Sequence, residues 1–190
     1  MPNWCNNTLF VSHKDKEMMQ KFHDGVRSGT LFDTFIPMPD ELRETTADHT
    51  VRPELIEKYG HSDWYGWCLE NWGCKWDCND GEFELDEDGL SGNGWFDTAW
   101  GPPIAAYGAL QELGFIIEAG YNEPGMGFAG TWVDGSEDYV DNYYDLFENG
   151  YDPKDNDYLL NDYLTDFLES EYENWLQMKE EEENETDDGA

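Results

Sequence analysis

Apolar residues first gather at Thr8-Leu9-Phe10-Val11, a run of the length of a short buried strand. From Ser12 to Gly29 the spacing changes: Met18, Met19, Phe22 and Val26 recur at helical intervals, and Gly29 is a suitable stop. Phe35-Ile36-Pro37-Met38-Pro39 predicts an extended loop, because both prolines forbid helix continuation. Pro53 opens a short helix through Lys58, closed by Gly60. Trp64, Trp67 and Cys68 share one face of another helix, which Gly73 ends. Phe83 and Leu85 alternate with acids as a half-exposed strand does. Asp88-Gly89 then marks a turn, and Gly94 to Trp100 is the partner strand. Pro102-Pro103 start a helix bearing Ile104, Tyr107, Ala109, Leu110 and Leu113, stopped by Gly114. Phe115 to Ala119 reads as a strand buried on both faces. Gly127 to Val133 reads as the next, after a turn at Pro124-Gly125. The order β-α-(loop and helices)-β-β-α-β-β predicts an α+β fold, an antiparallel sheet packed with helices. The split β-α-β of the ferredoxin-like fold is its simplest closure.

Beyond residue 133 the pattern is helical and acidic. Asp138 to Glu148 predicts a short helix with Val140, Tyr144 and Phe147 inward and Asn149-Gly150 as its stop. A longer amphipathic helix follows, with Asp155 or Asn156 as N-cap. Leu160, Leu164, Phe167 and Trp175 fall on one side, flanked by Tyr163 and Leu168. Asp162, Asp166, Glu169 and Glu173 form an acidic stripe on the opposite side, and Glu171 is the one acid inside the apolar arc. From Lys179 the chain has no apolar residue except the final alanine, which predicts a disordered tail. The organisation expected is a domain over 1–133, an acidic helical extension over 134–178, and an acidic tail over 179–190.

Charge sharpens this division. The 190 residues carry 44 acids and 10 Lys plus Arg, a net of −34. Residues 1–133 hold 23 acids against 8 bases, and residues 134–190 hold 21 against 2, so more than half of the charge lies in the last third. Direct binding of a nucleic-acid backbone needs a basic footprint, and an anionic membrane would repel this chain. Aromatics at 16% argue for a packed core, since disordered acidic chains are poor in them. No basic leader precedes the short apolar run, and no stretch approaches the roughly 20 apolar residues of a membrane helix. A cytoplasmic location is expected, with Cys5, Cys68, Cys74 and Cys78 as reduced thiols.

Four ordered blocks then resemble a family. Met1-Pro2-Asn3-Trp4-Cys5-Asn6-Asn7 is the first, and Asn71-Trp72-Gly73-x-Lys75-Trp76-Asp77 the second. Phe96-x-Thr98-Ala99-Trp100-x-Pro102-Pro103 is the third, and Tyr121-x-Glu123-x-Gly125 leading to Phe128-x-Gly130 the fourth. Together they are similar to the YubB-like, Api-like proteins of phages and plasmids. Cys74 departs from the pattern, standing where the family usually has Thr. The resemblance covers 1–133 and implies a ferredoxin-like fold and a phage or plasmid setting, with the host-cell cytoplasm as the place of action. It implies accessory proteins of mobile elements and no reaction.

Candidate chemistry is thin. His61, Cys68, Cys74 and Cys78 could supply four zinc ligands, but C-x5-C-x3-C is not the paired C-x2-C of zinc ribbons. Cys5 would need a nearby base among His13, His23, His49 and His61 to act as a nucleophile. Asp155-Asn156-Asp157 and Asp86 to Gly89 fail the EF-hand pattern at loop positions 5 and 6. No phosphate-binding glycine motif is present, and no cofactor is expected.

The acidic stripe therefore carries the functional expectation. Duplex DNA has two phosphates per base pair, so −34 matches roughly 17 pairs. The sequence predicts a non-enzymatic phage or plasmid accessory protein that binds a basic host protein, such as a nucleic-acid-binding or defence protein, as a DNA mimic or anti-defence factor. An interaction module whose acidity only aids solubility is the first alternative, and a small metal-dependent or thiol enzyme the second.

Overall fold

The computed structural model describes residues 3–154 and 162–187; of 162, 163 and 182–187 it describes the backbone alone. One strand and one helix begin the chain. Strand β1 (Trp4–Ser12) is longer than its apolar run, because it lies inside the sheet with neighbours on both sides. Helix α1 (Lys16–Ser28) starts where the Asp15 carboxylate accepts from the Glu17 amide. It ends at Gly29, whose left-handed backbone only glycine adopts freely.

Four short helices follow: α2 (Leu31–Phe35), α3 (Asp40–Arg43), α4 (Pro53–Tyr59) and α5 (Trp64–Asn71). The first of these takes Phe35 out of the expected extended loop. The remaining elements are β2 (Asn79–Leu85), β3 (Ser91–Ala99), α6 (Ile104–Glu112), β4 (Ile116–Glu123), β5 (Phe128–Val133), β6 (Ser136–Val140), α7 (Tyr143–Glu148) and α8 (Asp162–Asp187).

The fold is α+β. One six-stranded sheet runs in the order β2-β3-β1-β4-β5-β6, and each neighbouring pair is antiparallel. Its main core forms on one face, where Leu9, Val11, Phe83, Phe96, Ile117 and Ala119 meet α1, α2 and α6. Two expectations give way here. Strand β4 alternates, with Ile116 and Glu118 exposed and Ile117 and Ala119 buried, so it is not covered on both faces along its length. The segment from Asp138 does not begin a helix: 136–140 pairs with β5 as a sixth strand, and α7 starts only after Asn142, whose side chain accepts from the Tyr144 and Asp145 amides.

A second core lies on the opposite face. Side chains alternate along β5, so Ala129 points away from Phe128 and Gly130. Ala129 packs with Tyr143 and Phe147 of α7 and Leu164 and Leu168 of α8, all buried. Ring contacts tie α8 to α7: Phe147 lies 5.1 Å from Tyr172 and 5.9 Å from Trp175, centroid to centroid. The expected N-cap at Asp155 or Asn156, the contribution of Leu160, and residues Met1 and Pro2 lie outside the described residues, as do 188–190. Backbone α8 continues through Asp187, past Lys179.

Candidate functional site

The four sequence blocks converge at one end of the sheet. The start of β1 lies beside the ends of β3 and β4, through the pairs Trp4 with Ala99 and Asn6 with Asn122. The start of β5 adjoins through Glu123 and Phe128. Most of the block residues build this end rather than face solvent. The Glu123 side chain is buried and accepts from the amides of Gly125 at 2.7 Å and Met126 at 2.9 Å, with Asn3 Nδ2 at 3.4 Å. A carboxylate thus closes the turn at Pro124-Gly125. Gly130 is fixed by space: a Cβ there would collide with the Tyr121 ring and hydroxyl, which donates to Glu137.

Gly73 does not end α5 itself, since Trp72 is the C-cap. It turns the chain with φ 87°, and a Cβ would lie 2.9 Å from the Ile104 amide nitrogen. Beside it the Trp72 carbonyl accepts from Ala106, and the Trp72 indole donates to the Ile36 carbonyl. Asn71 donates to the Trp67 carbonyl. Pro103 is the N-cap of α6, after Pro102. Thr98 Oγ1 donates to the Gly101 carbonyl at 2.7 Å, and Ala99 is buried.

One residue of the first block has a role that its letter alone did not reveal. Asn7 is fully buried. Its Nδ2 reaches the Cys5 carbonyl at 2.9 Å, Thr98 Oγ1 at 3.0 Å and the Phe96 carbonyl at 3.3 Å, and its Oδ1 accepts from the Tyr107 hydroxyl at 3.0 Å. This amide ties β1, β3 and α6 together. The available signal was an Asn at an inward position, on the face that Cys5, Leu9 and Val11 otherwise bury.

The exposed part of this end is aromatic and cationic. Lys75 Nζ lies 4.4 Å from the ring centroids of both Trp76 and Trp100, and 6.0 Å from Tyr65. Trp4 stands 6.3 Å from Trp76. Trp100 is 47% exposed and has φ 72°, an unfavourable backbone for a bulky residue. Its amide donates to the Asn3 carbonyl at 3.0 Å, so the first block holds it there. A cleft of about 250 Å³ adjoins, lined by Arg43, Trp64, Lys75 and Trp76 among others.

All four cysteines are buried free thiols. Burial pushes the thiols of Cys68 and Cys78 up to about 12, and raises those of Cys5 and Cys74 well above their ordinary value. For Cys5, the carboxylates of Glu123 and Asp97 add to burial. His61 pairs with Glu70 at 2.6 Å, and His13 lies tilted against Phe115, 4.7 Å between centroids, beyond the far end of β1. Among the described residues no three His, Cys, Asp or Glu side chains gather to hold a metal, so the quartet His61, Cys68, Cys74 and Cys78 is not assembled.

The acidic stripe sits on α8. Asp166 and Glu173 are exposed, Glu169 is half-buried, and the Asp162 side chain lies outside the described residues. Leu164 and Leu168 face the second core. Glu171, the acid inside the apolar arc, is half-buried at the margin of that core. The stripe has a cation that sequence reading missed: Lys154 Nζ is 2.7 Å from Glu173 Oε1, which holds the Glu173 carboxyl below its ordinary range.

No family model matches the chain, and no curated protein matches it. Among solved structures it is similar to a protein api92 from Yersinia pseudotuberculosis, of the DUF1281 family, an Api-like family of uncharacterised proteins. The identity is 12% and the TM-score 0.42, over 74% of this chain and 98% of that one. Among the described residues no helix is long and apolar enough to cross a membrane.

Proposed function

We propose that this chain is a non-enzymatic accessory protein of a phage or plasmid that binds a basic surface of a host protein through the acidic face of α8. The reading treats α8 as a mimic of a nucleic-acid backbone, serving as an anti-defence factor. The observation that carries it is the docking of α8 by its apolar side: burial of Leu164 and Leu168 turns Asp166 and Glu173 outward on a fixed rod. The helix has 26 residues, and at a rise of ~1.5 Å each it is ~39 Å long. That matches the rise of ~11 base pairs at ~3.4 Å per step. Connectivity β1-α1-β2-β3-α6-β4, with spatial order β2-β3-β1-β4, supports reading the first four strands as ferredoxin-like with β5 and β6 added.

The test is retention of nucleic-acid-binding proteins from host lysate at low salt, with duplex DNA as competitor. Neutralising Asp162, Asp166, Glu169 and Glu173 to Asn or Gln together is expected to abolish retention, and DNA to compete for the same protein. Unchanged retention by that variant rejects the stripe as the contact.

A second reading has its own support. Lys154 cancels one charge of the stripe, while the exposed Trp76 and Trp100 offer a contact of different chemistry. The chain is then an interaction module whose acidity serves solubility. Substituting Trp100→Ala would remove its binding and leave the DNA competition without effect.

A further inference from the structure

We infer that the outer edge of β2, which no strand pairs among the described residues, is a docking groove for an extended, basic peptide segment, which adds to the sheet as a seventh strand. Strand β2 is an outer strand, paired on one side with β3. The Asp86 amide donates to the Ser91 carbonyl at 2.9 Å. Hydrogen-bonded pairs alternate along an antiparallel ladder, so Glu84 and Glu82 exchange bonds with Asn93 and Trp95. The backbone N–H and C=O groups of Gly81, Phe83 and Leu85 consequently point outward. They meet a groove of about 670 Å³ between this edge and α1, lined on the helix side by His23 and Arg27.

Charge selects the occupant. Glu82 and Glu84 are exposed on the sheet face away from α1, while Phe83 points into the core beneath α1 and touches Phe22 at 5.0 Å. An added strand places its side chains alternately on the two faces. Residues opposite Glu82 and Glu84 share their face, where Lys or Arg is favoured. The residue between them lies on the α1 side, where Arg27 favours an acid. A second copy of this chain is a poor occupant, because it would set acids against acids. The shift in pairing between Asn79 and Gly81, with Asp80 at φ 31°, bends the strand and limits the straight edge to Gly81–Leu85. The groove therefore takes about five residues, with cations at two positions and an acid between them. This surface is separate from α8, and the inference does not rest on the α8 reading.

The experiment is an amide NMR titration of the full chain with a capped peptide, threonine-lysine-glutamate-lysine-valine, to millimolar concentration. The amides of Gly81, Phe83 and Leu85 are expected to shift and to gain protection from hydrogen exchange. The same peptide N-methylated at the amides that face the edge is expected not to bind. A Glu82→Lys, Glu84→Lys double variant, checked for fold by circular dichroism, should weaken the peptide about tenfold at low salt. The α8 stripe variant should bind it unchanged, which keeps the two surfaces distinguishable. Equal binding of the N-methylated peptide, unchanged affinity of the double variant, or no response in β2 overturns the inference.

Discussion

Replacing Asn7 with leucine isolates the polar knot at the centre of the sheet. Both side chains branch at Cγ, so leucine keeps the shape of the amide while removing its hydrogen bonds, and its larger methyl groups add some overpacking at this fully buried position. Three bonds shorter than 3.2 Å are lost, to the Cys5 carbonyl, Thr98 Oγ1 and the Tyr107 hydroxyl, with a longer one to the Phe96 carbonyl. Thr98 keeps its bond to Gly101, so its share is small. At ~1 kcal/mol per bond, with part of the desolvation of the remaining groups uncompensated, the cost is about 3 kcal/mol. For a chain of this length that lowers Tm by roughly 9 °C. Urea unfolding should show a lower midpoint with an unchanged slope, as a loss of stability without a change in exposed area requires. Combining the change with Tyr107→Phe completes a double-mutant cycle. Tyr107→Phe should cost about 1 kcal/mol in the native background and much less beside leucine, giving a coupling of that size. A cost below about 1 kcal/mol for Asn7→Leu, or an additive cycle, would refute the knot as a source of stability.

Other outcomes follow from the same geometry. Leu168→Ala should cost about 2–5 kcal/mol in thermal unfolding, since Leu168 is fully buried between α8 and β5; no change in Tm would mean that α8 is not docked. A thiol-specific reagent at pH 8 should react slowly with the native chain and count four thiols only after unfolding, because burial raises every cysteine; rapid native reaction would contradict the packing. Carboxyl NMR should give Asp77 a midpoint above the ordinary 3.8, because burial outweighs its three bonds from backbone amides. The unfolded group titrates near 3.8, so both states are protonated well below that pH. Stability from Asp77 is then greatest there and declines as pH rises through the folded midpoint. Asp48 should titrate in the opposite sense, held low by Thr46, the Thr50 amide and Arg52.

Much of the fold was legible because local signals and tertiary contacts agree. Gly29 and Gly60 end α1 and α4, Asp88-Gly89 turns β2 into β3, and Leu164 and Leu168 face inward on α8. The sixth strand was not legible. Ser136 to Val140 holds two acids, one aromatic and one aliphatic residue, a pattern that suits an acidic helix as well as an edge strand. Pairing with β5 decides it, and pairing is not a local property. The same holds for the site. The blocks around Trp4, Trp76 and Trp100 stand out in sequence, but the Lys75 ammonium between two indoles depends on residues 25 positions apart. The Lys154 ion pair to Glu173 spans 19 positions, beyond the reach of any local pattern.

The position of β1 has a consequence for the chain as it is made. Strand β1 is interior, and its Asn6 pairs with Asn122 on one side and Asp97 on the other, both of them made after it. Those partners leave the ribosome long after Trp4 to Ser12 does. At ~5–20 residues per second, the nascent strand waits for several seconds with both edges unsatisfied. Such long sequence separations slow folding. The sheet grows outward from β1, which cannot be paired on both sides until Asn122 has been made, so β1 is a segment that a chaperone or a neighbouring nascent chain would meet with its edges open.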